Sequence, residues 1–205
     1  MSLKYAKLIV FARAPVKGQV KTRLASQVGD ERALAIYRDM LDSVLQEMSG
    51  CGFPVCVYSD HPEDSYFDRW KQKGMACHQQ TGEDLGERMF NALQAEKSGR
   101  APVLLMGSDC PQISCDIVHK VIHEIDNGKQ VVFVPSPDGG YVLIAFGGEV
   151  SPRLFEGISW STALVMQQTE EKLRSLGLSY SLLEPLLDID DFDDYQNWLG
   201  ISQRL

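Results

Sequence analysis

Short apolar runs alternate with amphipathic segments along almost the whole chain, and this alternation is the feature that most constrains the fold. Residues 8–12, 54–58 and 102–106 are runs rich in branched and apolar side chains, a pattern typical of strands covered on both faces. Residues 30–48 lie between the first two runs, and their apolar side chains recur every three or four positions, as in an amphipathic helix. Strands that alternate with helices predict an α/β domain with a largely parallel sheet.

The same pattern predicts the remaining elements. Further strands are expected at 75–79, 131–134 and 141–146, and further helices at 64–74, 84–97, 117–125, 164–176 and 195–199. No repeat, linker or low-complexity tract interrupts them, so residues 1–205 are expected to form a single domain. In such folds ligands bind beyond the carboxyl ends of the strands, and the loops that follow the strands are therefore the first place to look for a site.

Composition narrows the class of protein and its compartment. The net charge of −8 argues against a protein that grips nucleic acid through its phosphates. No stretch approaches the roughly 20 apolar residues that a membrane span needs, and we expect a soluble, cytoplasmic protein. Five cysteines are an odd number and lack the two-residue spacing of a zinc knuckle or redox dithiol, so they are predicted to be reduced, structural thiols.

Charge is distributed unevenly along the chain. Residues 1–25 carry six basic side chains and no acid, whereas residues 184–194 carry six acids and no base. The basic side chains cluster in a Pro/Gly-containing loop, residues 11–24, between the first strand and the first helix, where α/β folds bind phosphates. The loop is neither a Walker A motif nor G-x-G-x-x-G. It predicts a phosphate site in which Lys21 and Arg23 supply charge and Gly18 allows close approach; the alternative is a solvated basic loop.

Carboxylates near two loop segments could bind a metal ion. Asp109 follows a strand directly and can act either as an Asx turn before Pro111 or as a ligand for Mg²⁺ or Mn²⁺. Asp188 and Asp190 alternate along an extended segment, and we expect them to reach inward as further ligands. The later acids of this stretch are predicted to cap the last helix.

Two other segments have simple structural explanations. Asp138-Gly-Gly-Tyr141 joins two predicted strands and is typical of a hairpin turn, although paired glycines also let a backbone lie against a ligand. His119 and His123 are four residues apart on a helix, but they lie away from its apolar face and are predicted to be solvated.

Six motifs together resemble a known family. They are Pro15-x-x-Gly18-x-x-Lys21-Thr22-Arg23-Leu24, Gly82-x-Asp84-Leu85-Gly86-x-Arg88-Met89, Gly107-Ser-Asp-Cys-Pro111, Asp138-Gly-Gly-Tyr141, Trp160-Ser-Thr162 and Asp188-Ile-Asp190. In this order they resemble the DUF2064 family of the nucleotide-diphospho-sugar transferase superfamily, which is often labelled arsenosugar-biosynthesis glycosyltransferase-like. The resemblance implies a single-domain, Rossmann-like GT-A fold: a mostly parallel, mixed sheet with helices on both faces.

The resemblance also implies roles for individual residues. Catalysis would fall to Lys21, Arg23 and Asp109, with Asp109, Asp190 and Asp188 as ligands of Mg²⁺ or Mn²⁺. The nucleotide would be bound by Ala12, Arg13, Pro15, Gly18, Lys21, Arg23, Gln80, Gly82, Asp84, Leu85 and Ser108, with Gln79 as an alternative to Gln80 beside the base. The acceptor would be bound by Asp138, Gly139, Gly140, Tyr141, Trp160, Ser161 and Thr162.

The resemblance implies a metal-dependent transferase that uses a nucleotide-activated donor, and glycosyl transfer from a nucleotide-sugar to a small acceptor is the preferred hypothesis. Two departures affect it. Ser108 stands where many glycosyltransferases have the first Asp of a D-x-D motif, and Asp191-Phe192 replaces the usual Thr-Pro after the last ligand motif. Nucleotidyl transfer from a nucleoside triphosphate, with release of pyrophosphate, is the first alternative. A nucleotide-binding protein without turnover is the second.

Overall fold

The computed structural model describes residues 6–202 of the chain, with side chains through residue 199, and within this range seven strands form one sheet. The strands are β1 (Lys7–Ala12), β2 (Val55–Ser59), β3 (Ala76–Gln79), β4 (Val103–Gly107), β5 (Val131–Pro135), β6 (Tyr141–Phe146) and β7 (Tyr180–Leu182). Their order across the sheet is β3-β2-β1-β4-β6-β5-β7. Only β6 runs against its neighbours β4 and β5, and every other pairing is parallel.

Helices connect the strands and cover both faces of the sheet. They are α1 (Thr22–Val28), α2 (Asp30–Gly50), α3 (Asp68–Gln72), α4 (Leu85–Glu96), α5 (Cys115–Asp126), α6 (Val165–Leu176) and α7 (Phe192–Ser202). Two single 3₁₀ turns also occur: Ser65–Phe67 leads directly into α3, and Pro152–Leu154 lies between β6 and α6. The α/β fold with a mostly parallel mixed sheet, predicted from the alternation of patterns, is confirmed.

Alternate residues of the central strands enter two separate cores. On one face, Leu8 and Val10 pack with α2, α5 and the fully buried Ile189. On the other face, Ile9 packs with α4 and α6 through residues such as Leu93. Because successive side chains of a strand point to opposite faces, a strand buried on both sides must be apolar throughout, which explains the continuous runs in the sequence.

Most predicted elements are confirmed to within two residues, and two differences have physical reasons. Residues 22–28 form α1, a helix that begins inside the loop expected at residues 11–24, and it buries only Leu24, too little to give a periodic pattern. Strand β7 was not predicted, since it is three residues long with no buried side chain. Residues 195–199, expected to be part of a terminal helix, lie in α7, which begins at Phe192.

The prediction that the cysteines are all reduced is wrong. Cys51, just after α2, and Cys115, the first residue of α5, form a disulfide with their Cα atoms 5.1 Å apart. These residues are separated by 64 positions, and only the packing of α2 beside α5 brings them together. Cys56, Cys77 and Cys110 are free. Among the helices of residues 6–202, none is long and apolar enough to cross a membrane.

The reversal of β6 determines which loops share an edge of the sheet. Strands β1 and β4 are parallel neighbours, so the loops that follow Ala12 and Gly107 leave at the same edge. Because β6 is antiparallel to β4, it begins at that edge, and Tyr141 with the turn before it lies near the end of β4. Three loop segments from distant parts of the sequence therefore meet there.

Candidate functional site

Two adjoining cavities open at this edge of the sheet, one of about 610 Å³ and one of about 340 Å³. The larger one is lined by Phe11, Ala12, Arg13, Val20, Lys21, Thr22, Arg23, Tyr37, Gln80, Leu85, Arg88, Met89, Leu105, Gly107, Ser108, Asp109, Tyr141, Val142, Ser161 and Asp190. The smaller one is lined by Arg23, Leu85, Met89, Asp109, Ser136, Asp138, Gly140, Tyr141, Trp160, Ser161, Thr162, Val165, Asp188 and Asp190. Asp109 and Asp190 belong to both and mark where the cavities join.

Lys21 lines the larger cavity and lies between these two carboxylates. Its Nζ donates hydrogen bonds to Asp109 Oδ2 at 3.0 Å and to Asp190 Oδ1 at 2.8 Å. Burial alone would lower the pKa of Lys21, but the two carboxylates outweigh it and hold that pKa above its usual value. Arg23 adds a second cation, 3.6 Å from the other oxygen of Asp190. The basic loop and the acidic stretch of the sequence therefore meet directly.

Backbone hydrogen bonds hold the acidic stretch in this position. Ile189 is fully buried, and its N–H donates to the carbonyl of Asp109 at 3.0 Å. Upstream, the N–H groups of Leu183 and Leu186 donate to the carbonyls of Phe133 and Pro135 at the end of β5. Since side chains alternate along an extended segment, burial of Ile189 leaves Asp188 and Asp190 to line the cavities.

The two carboxylates beside Ile189 differ in their electrostatics. Burial, together with the charges of Asp138 and Asp109, raises the pKa of Asp188 to about 7. For Asp190, burial acts in the same direction, but the Lys21 ammonium beside it outweighs burial and keeps the pKa below its usual value. The site thus has more carboxylate than the neighbouring cations neutralise.

The carboxylates fit the predicted divalent cation. Asp109 and Asp190 supply hard oxygen ligands, already converge on one ammonium group, and are 35% and 40% exposed. Asp188 lines the adjoining cavity with them. Gly107 makes this arrangement possible, because a Cβ atom there would lie 2.6 Å from Asp109 Oδ1. Within residues 6–202 no cluster of three or more His, Cys, Asp or Glu side chains has the arrangement of a ready-made metal site.

The far side of the larger cavity is built on Tyr37 and Gln80. Tyr37 Oη accepts from the Arg13 N–H and donates to the Arg13 carbonyl, both at 2.9 Å, and lies 3.3 Å from Ser108 Oγ. Ser108 is 5% exposed, and its hydroxyl lies toward Tyr37 of α2 at the wall of the larger cavity, whereas the more exposed Asp109 lines both cavities. The Gln80 amide donates to the carbonyls of Ala12 and Tyr58, which ties it to the ends of β1 and β2.

The hairpin turn between β5 and β6 forms one wall of the smaller cavity. The predicted hairpin is confirmed, and Asp138 Oδ1 accepts from the Ser136 hydroxyl and from the Gly140 N–H. Gly139 has a φ of +91°, and a Cβ there would lie 2.3 Å from the Ala163 carbonyl oxygen. The turn therefore packs against the segment that carries Trp160 and Thr162.

Close packing also fixes the neighbouring wall, which is formed by the 160–162 segment against α4. A Cβ on Gly86 would lie 2.7 Å from the Trp160 ring, so only glycine allows this contact between α4 and the 160–162 segment. In the described residues, Lys21 (φ 46°) and Ser161 (φ 61°) are the only residues other than glycine with positive φ, and both line the larger cavity. Such strained residues concentrate at functional sites, where the surrounding fold maintains them.

Five of the predicted site residues lie outside both linings. Asp84 is the N-cap of α4 and accepts from the Glu87 N–H at 2.8 Å, and Gly82 accepts from Arg88 Nε at 3.0 Å. Pro15, Gly18 and Gly139 are the others. Their predicted roles in binding stay predictions, and the contacts described for Asp84, Gly82 and Gly139 shape the loops around the cavities.

Several cavity residues were not among those predicted, and two of them, Arg88 and Tyr37, show why. Arg88 lies almost one helical turn after Leu85, and helical spacing from that residue would have found it. Tyr37 belongs to the apolar stripe of α2, and nothing in its spacing distinguishes it from core residues such as Met40.

Outside the cavities, the predictions about capping and histidines are confirmed. Asp194 Oδ2 accepts from the N–H groups of Asp190 and Asp191, and Asp191 Oδ1 accepts from the Asp194 N–H at 3.0 Å, a reciprocal cap at the start of α7. His119 and His123 are both exposed.

Comparison with solved structures places the fold among nucleotide-dependent transferases. A protein from Desulfovibrio desulfuricans G20, provisionally described as a nucleotide-diphospho-sugar transferase, is 33% identical with a TM-score of 0.83, over 93% of this chain and 84% of its own. Two further solved structures are each 12% identical to this chain, and at that identity the similarity concerns the fold alone. A CMP:2-keto-3-deoxy-manno-octonic acid synthetase solved with CTP has a TM-score of 0.62, over 98% of this chain and 100% of its own. A 4-diphosphocytidyl-2C-methyl-D-erythritol synthase from Anaerococcus prevotii DSM 20548 has a TM-score of 0.65, over 98% and 99%.

A family model gives the more specific assignment. Residues 41–162 match the model described as "Uncharacterized protein conserved in bacteria (DUF2064)". The chain belongs to this family, as the six ordered motifs indicated. No curated protein matches the sequence.

Proposed function

We propose that this protein is a metal-dependent transferase that binds a nucleotide-activated donor in the larger cavity and transfers a glycosyl group to an acceptor in the smaller one. The observation that carries the proposal is Lys21, buried between Asp109 and Asp190 where the two cavities join. A diphosphate placed there would meet the cations of the basic loop on one side and the carboxylates on the other. The 33% identical Desulfovibrio protein, with its provisional description as a nucleotide-diphospho-sugar transferase, supports the same class.

The residues of the chain would act mainly by position and charge. In glycosyl transfer, negative charge grows on the departing nucleoside diphosphate, and Lys21 and Arg23 would stabilise it. Fixed cations in a partly enclosed cavity stabilise such charge better than water does, because they need not reorganise during the reaction. The adjoining cavities would hold donor and acceptor next to each other in a fixed orientation.

Asp109 and Asp190 would hold the divalent cation, with Asp188 beside them. Bound there, Mg²⁺ or Mn²⁺ would supply Lewis-acid stabilisation of the diphosphate charge. Lys21 now pairs with both carboxylates; with a divalent cation held there, its ammonium would be free to contact the donor phosphates.

Binding tests the proposal directly. Thermal unfolding should be followed with Mg²⁺ or Mn²⁺ and a panel of nucleotide-sugars and nucleoside triphosphates, where a ligand at 100 times its Kd adds about 2.7 kcal/mol of stability. Asp109→Asn should abolish the metal-dependent part of the shift, while the exposed Asp116→Asn on α5 should keep it. The absence of a shift with every nucleotide, with and without metal, would refute the proposal.

Nucleotidyl transfer is a second candidate, and the charge of the larger cavity favours it. Arg13, Lys21, Arg23 and Arg88 all line this cavity, and a triphosphate offers these four cations more negative charge to bind than a diphosphate does. A phosphorylated acceptor would then attack a nucleoside triphosphate in line, and pyrophosphate would leave. Release of nucleoside diphosphate from a nucleotide-sugar identifies glycosyl transfer, and release of pyrophosphate identifies nucleotidyl transfer. Nucleotide binding without either product would indicate a binding protein that has lost turnover.

A further inference from the structure

The two cavities carry opposite charge, and we propose that the smaller one takes an uncharged, hydroxyl-bearing acceptor and excludes a phosphorylated one. The inference deepens the proposed function and rests on it, since it names the chemical class of the acceptor. It also separates the two candidate reactions, because the nucleotidyl reaction described above needs a phosphate on the acceptor and glycosyl transfer needs a hydroxyl group.

The charge count of the two linings differs in sign. Four cationic side chains and two carboxylates line the larger cavity. Four carboxylates and a single cation, Arg23, line the smaller one; the carboxylates are Asp109, Asp138, Asp188 and Asp190. Arg23 lies 3.6 Å from Asp190 and is three-quarters exposed, so its charge is shared with that carboxylate and screened by water.

Asp138 and Asp188 are the two carboxylates of this cavity that form no ion pair with a described basic side chain. Across residues 6–202, no basic side chain comes within ion-pair distance of either one, whereas Lys21 and Arg23 pair with Asp109 and Asp190. A divalent cation on Asp109 and Asp190 would offset those two charges and leave Asp138 unneutralised, together with Asp188 in the molecules in which Asp188 is ionised. A phosphate in this cavity would therefore face uncompensated like charge, a common way in which a site rejects the wrong ligand.

The remaining lining suits hydroxyl groups and C–H surfaces. The hydroxyls of Ser136, Ser161 and Thr162 and the rings of Tyr141 and Trp160 surround the two carboxylates. Asp138 Oδ1 is used within the turn, but Oδ2 has no donor among the described residues and can accept from a ligand hydroxyl. Trp160 Nε1 is buried, and in the part of the chain that the structure describes it has no hydrogen-bond partner.

Trp160 is also the probe that tests the proposal, because its ring lies in the cavity and fluoresces. Its signal is obtained by subtracting the spectrum of Trp160→Phe, and it is quenched in metal-free buffer with caesium, iodide or neutral acrylamide at constant ionic strength. We expect caesium to quench at least about threefold better than iodide, relative to free tryptophan, because carboxylates concentrate cations and repel anions. Asp138→Asn should reduce this ratio and keep the turn, since the amide oxygen still accepts at Oδ1, whereas Asp116→Asn should leave the ratio unchanged. Iodide quenching equal to or stronger than that of caesium would overturn the proposal.

A matched pair of small molecules tests the acceptor class itself. Acrylamide quenching of Trp160 is repeated with glucose or glucose 6-phosphate at equal concentration, and we expect glucose to protect the ring more. Asp138→Asn should narrow the difference. Equal protection, or stronger protection by the phosphate ester, would contradict the inference.

Failure of this inference is distinguishable from failure of the proposed function. Neither quenching measurement needs a nucleotide or turnover, and nucleotide binding is measured separately by thermal unfolding of the same samples. A protein that binds nucleotides but shows no preference for caesium and glucose keeps the donor site and loses the acceptor assignment. A protein that shows the preference but binds no nucleotide loses the proposed function.

Discussion

Two lysine–carboxylate clusters in this molecule have opposite patterns of burial. At the cavity junction, the Lys21 side chain is 8% exposed, and its partners Asp109 and Asp190 are 35% and 40% exposed. At the other end of β1, Lys7 is 38% exposed, and its partner Glu96 at the end of α4 is 8% exposed. The buried Glu96 also accepts from the Tyr58 hydroxyl at 3.0 Å.

The difference shows which cluster can exchange partners. The Glu96 side chain is only 8% exposed and is contacted by Lys7, Tyr58 and His78, so little of it is open to a ligand. Asp109 and Asp190 are 35% and 40% exposed and line both cavities, so a dissolved cation can reach them without any rearrangement of the core. The first arrangement stabilises the fold, and the second is suited to binding. Four predictions test this comparison, from the largest expected effect to the smallest.

Lys21→Met should have the largest effect, and the effect should be on nucleotide binding. Loss of a charge-assisted contact of about 1.5–3 kcal/mol lowers affinity roughly tenfold to hundredfold. The measurement is a calorimetric titration with the nucleotide that gives the largest thermal shift. Lys17→Met in the same loop is the matched control, because Lys17 is exposed and pairs with Glu31 outside the cavities. An unchanged affinity in Lys21→Met would remove Lys21 from the donor site.

Glu96→Ala should destabilise the protein by about 2 kcal/mol, because it leaves the Tyr58 hydroxyl and Lys7 without their shared acceptor. Urea unfolding gives the free energy, and nucleotide affinity should remain that of the unmodified protein. Glu149→Ala is the control, since Glu149 pairs with Lys97 but is 90% exposed, and its loss should cost less than about 0.5 kcal/mol. If Glu96→Ala weakened nucleotide binding with no loss of stability, the contrast between the two clusters would be wrong.

Lys21→Met should bind Mn²⁺ more tightly than the unmodified protein when no nucleotide is present, by about threefold to tenfold. The reason is competition, since the ammonium and the metal ion neutralise the same two carboxylates. Mn²⁺ binding can be followed by electron paramagnetic resonance, independently of any reaction. The substitution thus shifts metal and nucleotide affinity in opposite directions, which a general loss of structure cannot do. Equal or weaker Mn²⁺ binding would show that the metal ion does not share the place of Lys21.

The smallest effect concerns acid stability. Burial acts to raise the pKa of Glu96, but the hydrogen bonds from Lys7 and Tyr58 outweigh it and lower that pKa below 4.5. The unfolded chain therefore binds the proton more readily, and the stability that Glu96 contributes is present above pH 4.5 and is lost as the pH falls through the folded-state value. Glu96→Gln should lose less stability than the unmodified protein between pH 6 and pH 3. A parallel loss in both proteins would contradict the assignment.

The sequence predicts the central sheet well because its strands are buried on both faces. Runs such as residues 102–106 cannot be anything but apolar when helices cover both sides, so they are visible in the sequence. Strand β7 has no such requirement, since it is short and lies at the edge of the sheet. A periodic pattern of apolar residues arises where side chains are buried, so it cannot reveal a strand such as β7 that buries no side chain.

The sequence predicts which residues belong to the site, but it does not predict how they are placed relative to one another in space. Asp109 can be anticipated because it directly follows a strand, and Asp188 and Asp190 because they alternate. The position of Lys21 between Asp109 and Asp190 depends on the left-handed backbone of Lys21. It also depends on long-range contacts, because Asp109 is 88 positions and Asp190 is 169 positions away from Lys21 in the sequence. The disulfide was missed for the same reason, because spacing along the chain carries no information about the approach of α2 and α5.

The antiparallel direction of β6 has a consequence for how this protein can diverge. In the proposed function, the donor side would use loops that follow parallel strands and are tied into helices α1 and α5, whereas the acceptor side would use the 160–162 segment and a hairpin turn, residues 136–140. Loops vary more readily than the strands they join, but here Gly139 must be kept, because a Cβ atom there would lie 2.3 Å from the Ala163 carbonyl oxygen. We therefore expect relatives of this chain to change acceptor at the other positions of this short turn while keeping the donor side intact. A library of variants confined to residues 136–140 is therefore the smallest one we would screen for a change in acceptor specificity.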